Sequence, residues 1–168
     1  MNNKIPALQK QIRALVILFM VSLVISGATA IPVQTELEWY FQHFSAQTTL
    51  GQLLTTVLAA VKQVQQQYPF LLYGNDWLAF AHFVIAVAFI GVLRNPVRNI
   101  WIIEFGLIAC AMVIPFALVM GGVRGLPLWW RFIDCSFGVV GAIPLLLCHT
   151  RIKKLEKLLQ EDKLNIVF

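Results

Sequence analysis

Charge is what this sequence has least of. Only 12% of its 168 residues are Asp, Glu, Lys or Arg, about half the ~25% of an ordinary soluble domain. With 59% of its residues hydrophobic, the chain falls in the membrane class before any motif is read. Cysteine is scarce too. Cys110, Cys135 and Cys148 all lie within apolar runs and form no CxxC pair, which excludes a disulfide framework, a zinc site and quinone-linked disulfide exchange. Nucleophile-elbow serines, P-loops and GxGxxG patterns are absent. His43, His82 and His149 fall on the surface, in the outer half and at the inner end of the expected bundle. They are too dispersed to bind one metal or to ligate a haem, so neither metal nor cofactor is expected. No internal repeat marks an inverted-repeat transporter. There is no N-x-Ser/Thr sequon, which is compatible with a bacterial inner membrane.

What is present is a set of four apolar runs, each near the ~20 residues that span a bilayer. They predict an all-α integral membrane protein of one domain, residues 1–168, built as a four-transmembrane-helix bundle. The expected spans are 14–31, 77–93, 99–121 and 128–149. The first ends in Ala28-Thr29-Ala30, which also fits a signal-peptidase site, but the run is longer than a usual signal core and is read as a retained helix. Pro115 and Pro144 fall inside the third and fourth runs, where neighbouring helices can satisfy the freed backbone groups.

The net charge of +5 is distributed by side rather than spread evenly. Lys4, Lys10 and Arg13 precede the first run, Arg94 and Arg98 separate the second and third, and Arg151, Lys153, Lys154 and Lys157 follow the fourth. The positive-inside rule then puts both termini in the cytoplasm. It also removes the need for a nucleic-acid partner. The tail, 150–168, continues the fourth helix as a basic amphipathic stretch with Ile152, Leu155, Leu158 and Leu159 on one side.

The connection of about 33–72 is too long for a plain loop. Leu50, Leu53, Leu54, Val57, Leu58, Val61 and Val64 recur in it at helical spacing. An aromatic cluster, Trp39-Tyr40-Phe41 with Phe44, precedes them. One or two external amphipathic helices at the outer surface are expected.

Ionisable groups at membrane depth mark functional sites by default. By helical rise, His82 and Asp134 each lie roughly 8–9 Å below the outer boundary and could meet. Arg131, one turn before Asp134, competes for its carboxylate. Glu104 lies roughly 8 Å inside the opposite boundary, within reach of Arg94 and Arg98. Asp134, Gly138 and Gly141 share a small-residue face suited to close helix approach, as do Ala79, His82 and Ala86. Trp129 and Trp130 read as an interfacial belt or as the rim of a pocket. The candidate ligand or proton-site residues are therefore His82, Asp134, Arg131, Glu104, Trp129 and Trp130.

In span count, and in its mix of His, acid and Trp, the chain resembles the sterol-isomerase type of four-helix membrane protein, which implies an apolar ligand. It departs from that type where a His is followed one turn later by an acid, since Ala86 occupies the place. The leading expectation is a binder of an apolar or lipid-like ligand in a polar-lined bundle. Its alternatives are an accessory or scaffold subunit of a larger membrane complex, or a homo-oligomer, and third a proton- or ion-coupled small transporter. Membrane lipids are partners in each case.

Overall fold

The computed structural model describes residues 4–167, with side chains from 5 to 162; Lys4, counted in the basic head, and the last residues of the tail lie outside the described side chains. Among the described residues there is no strand. Seven helices follow in order: α1 Lys4–Ala30, α2 Val33–His43, α3 Thr49–Gln67, α4 Pro69–Ala88, α5 Ile90–Arg94, α6 Ile100–Val123 and α7 Leu128–Val167. Four stretches are long and apolar enough to cross a membrane: Ile5–Ala30, Pro69–Arg94, Ile100–Val123 and Leu128–Asp162. The helices outrun the apolar runs that predict them. α1 includes the basic head, α4 starts eight residues before Trp77, and α7 runs for 40 residues, about 60 Å at 1.5 Å per residue.

The chain divides into two compact units, residues 1–21 with 87–168, and residues 22–86. The first is organised by the α6–α7 hairpin. Its turn is closed by glycine: Gly125 takes φ +70, a left-handed conformation open to a residue without a Cβ. Leu126 N then donates to the Gly121 carbonyl and Gly125 N to that of Gly122, which satisfies the last carbonyls of α6. The two helices pair antiparallel, with partners equidistant from this turn. Gly121 meets Arg131, Cys110 meets Gly138, and Gly106 meets Leu145; Cys135 Sγ lies 3.7 Å from the Ile114 carbonyl oxygen.

α1 lies antiparallel to α7 in the same unit. Arg151 Nε donates to Gln11 Oε1 at 2.9 Å, and Phe19 lies beside Gly141. The buried residues Leu8, Ile12 and Val16 recur every fourth position, as do Leu145, Cys148, Ile152 and Leu155 every third or fourth. Two helical stripes at that spacing mesh along one seam. Phe89, Val92 and Ile103 complete this core and are fully enclosed. Phe89 also meets Phe19, ring centroids 4.9 Å apart. The turn from α5 into α6 is tied by Asn99, whose amide donates to the carbonyls of Gly91 and Asn95, both at 2.9 Å.

The second unit is more thinly packed. Here the last turns of α1 meet α4: Gly27 lies against the Ala79 carbonyl, His82 and Phe83, and Asn75 Nδ2 donates to the Ala30 carbonyl at 2.7 Å. α2 and α3 occupy the long connection. Thr48 caps α3 through the Gly51 amide at 2.9 Å, a standard N-terminal arrangement. Lys62 Nζ reaches Glu38 Oε1 at 2.9 Å, and Gln34 donates to the same oxygen at 3.1 Å. The Lys62 ammonium, and then the Gln34 amide, hold the Glu38 carboxyl below the ordinary glutamate range, because both bonds favour the ionised form.

Candidate functional site

The hairpin α6–α7 carries a groove of about 510 Å³ near its turn. Val113, Phe116, Ala117 and Phe137 make its apolar walls; Met120, Gly121 and Leu126 lie toward the turn. Two charged residues line it, Asp134 and Arg124. They form no ion pair with each other, and among the described residues neither side chain has a hydrogen-bond or salt-bridge partner. Asp134 is half-buried. A carboxyl group in apolar surroundings is costly unless something donates to it, and among the described residues nothing does.

Arg131 does not pair with Asp134. Its Nε donates to the Leu126 carbonyl at 2.9 Å, and its side chain lies over Gly121 and Gly122. Two forces explain this. Helical side chains lean toward their own N-terminus, which for Arg131 is the turn. There it meets the carbonyl end of α6, whose partial negative charge favours a cation. Glycine at 121 makes room for this packing, since a Cβ would stand 2.8 Å from Arg131 Cγ and the arginine would have to shift.

Gly138 and Gly141 serve close approach. A Cβ on Gly138 would stand 2.5 Å from the Cys110 carbonyl oxygen, so no larger residue fits without parting the helices. Trp129 and Trp130 stand in the first turn of α7, ring centroids 5.7 Å apart and edge to face. They do not line the groove.

Glu104 lies at the far end of the same hairpin. Its partner is His149, with Nε2 3.3 Å from Glu104 Oε1, and not the arginines of the preceding turn. Sequence reading missed His149 as a partner. The signal was available in the spacing, because the two residues are nearly equidistant from the 124–127 turn. His82 belongs to the other unit. Its Nδ1–H donates to the Leu78 carbonyl at 3.0 Å, which fixes the tautomer and leaves Nε2 as the outward nitrogen.

Among the described residues no group of His, Cys, Asp and Glu is arranged to hold a metal ion. The second unit has its own groove, about 590 Å³, beside Leu37, Trp39, Tyr40 and Leu54. Neither a family model, nor a curated protein, nor a solved structure matches this chain.

Proposed function

We propose that the chain is an integral membrane protein whose α6–α7 groove binds an amphipathic, lipid-like molecule through Asp134. The observation that carries this reading is a carboxylate without a partner in an apolar-walled groove, while the nearest cation along its helix, Arg131, is engaged elsewhere. Such an arrangement supplies what small-molecule sites need: apolar walls and a few placed polar groups. It assigns binding and no catalytic step.

In this reading the four apolar helices cross a bacterial cytoplasmic membrane, with both termini inside, and α2 and α3 lie at the outer surface. The basic clusters in the first turns of α1, at the turn from α5 into α6, and along the end of α7 support that orientation. Trp39, Tyr73 and Trp77, all exposed, suit the headgroup region. The groove then opens in the outer leaflet, close to the 124–127 turn.

Native mass spectrometry of the full chain extracted in mild detergent tests the reading. The wild type is expected to carry a defined amphiphile that Asp134→Leu loses while keeping its helical circular dichroism. A ligand-free wild type, or one that carries a stoichiometric protein partner instead, would overturn it in favour of the accessory-subunit reading.

A further inference from the structure

We infer that the ligand is an anionic amphiphile with a hydrogen-bond donor, such as a free hydroxyl, between its headgroup and its chain; this rests on the amphiphile reading of the groove. The order of groups along the groove points to it. Arg124 stands at the turn, and its backbone marks the end of α6. Asp134 lies further along, at the level of Ala117, as the flanking pairs Gly121–Arg131 and Ile114–Cys135 require. Seven residues separate that level from Arg124, roughly 10 Å of helix.

Both side chains line the same groove, and Asp134, within α7, leans toward the turn where Arg124 stands. They nevertheless form no ion pair. Beyond Asp134, away from the turn, the walls are Val113, Phe116 and Phe137. From the turn inward the groove thus presents a cation, then an acceptor, then hydrocarbon. Its complement is an anion, then a donor, then a chain. The donor is needed where it is, since without it the ligand's anion and the Asp134 carboxylate would face each other unshielded at short range. Diacyl lipids, which esterify the hydroxyl nearest the phosphate, lack a donor at that place.

Three probes of equal chain length separate the elements: 1-palmitoyl lysophosphatidic acid, its 2-deoxy analogue, and the monoacylglycerol without phosphate. Their affinities are read by displacement of a fluorescent fatty amphiphile from the full chain in nanodiscs. The lysophosphatidic acid is expected to bind about tenfold more tightly than either other probe, as for one charge-assisted hydrogen bond or ion contact. Asp134→Leu should erase the preference for the hydroxyl alone, and Arg124→Gln the preference for the phosphate alone. Arg124 is exposed, so that variant leaves the fold intact. If the wild type binds all three probes alike, or either variant weakens all three equally, the order of groups is wrong. The amphiphile reading survives that result provided Val113→Trp, which fills the groove, abolishes binding. If no probe binds, or Val113→Trp changes nothing, both readings fall.

Discussion

The two ends of the α6–α7 hairpin are built on opposite plans. At the end far from the turn, Ile103, Leu145 and Cys148 are fully enclosed, Gly106 admits the Leu145 side chain, and the carboxylate present, Glu104, has His149 beside it. At the turn end the helices carry an open groove, Phe137 is 68% exposed, and the Asp134 side chain has no partner among the described residues. The same pair of helices therefore packs as a scaffold at one end and leaves groups unsatisfied at the other. Tight packing gives a single arrangement; unsatisfied groups leave room for a ligand to satisfy them. The difference is local, set by which residues lie equidistant from the turn.

Breaking the packed end should cost most. Leu145→Ala is expected to destabilise by about 2–5 kcal/mol, read by thermal unfolding in detergent, whereas Phe137→Ala at the open end stays within about 0.5 kcal/mol. Equal losses would erase the distinction between the ends. Next comes Gly138→Ala, which forces a Cβ against the Cys110 carbonyl and should cost roughly 1–3 kcal/mol; a neutral result would show that the helices part freely there. Glu104→Gln removes a partly exposed pair, with the carboxylate 49% accessible. It should shift stability by no more than about 1 kcal/mol, without touching ligand retention. A loss of ligand would couple the two ends and contradict their independence.

The smallest effect lies outside the hairpin, where Glu38 ties α2 to α3. Its carboxyl is held below the ordinary range by Lys62 and Gln34, so the sign is that of a lowered acid. The contribution is fully present above the unfolded glutamate value of about 4.3 and is lost as pH falls through the lower folded value. Proteolysis between α2 and α3 should be unchanged from pH 8 to 6 and should accelerate only below about pH 4. Lys62→Gln should remove that dependence. A transition near neutrality would assign it to another group.

Much of the helical framework was legible because apolar length and helical period are local properties. Four long apolar helices follow from the four runs. The continuation of α7 into the tail follows as well, from Ile152 and Leu155 recurring on one side, whereas the start of α1 does not, since it reaches back into polar sequence where Leu8 and Ile12 still find cover. Pairing inside the candidate site was harder. Arg131 was expected beside Asp134 on spacing alone, yet the carbonyl end of α6 competes for it, and that competitor exists only once the hairpin folds back. Glu104 lies within sequence reach of Arg94 and Arg98, but sequence proximity is not register, and the hairpin brings it His149 instead. Asp134 itself was legible as a costly carboxyl in an apolar run. Trp129 and Trp130 were visible as aromatics, but nothing in their spacing said that they would stand apart from the groove.

Photo-crosslinking bears most directly on the claim that the open end is the binding end. A diazirine-bearing anionic amphiphile with a free hydroxyl next to its headgroup would be activated in membranes containing the full chain, and its adducts mapped by peptide mass spectrometry. Adducts concentrated on Val113, Phe116 and Phe137, and weakened about tenfold in Asp134→Leu as for one lost charge-assisted hydrogen bond, are the predicted result. Adducts spread evenly over exposed apolar residues such as Phe80, Val84 and Ile108, and indifferent to Asp134, would contradict it.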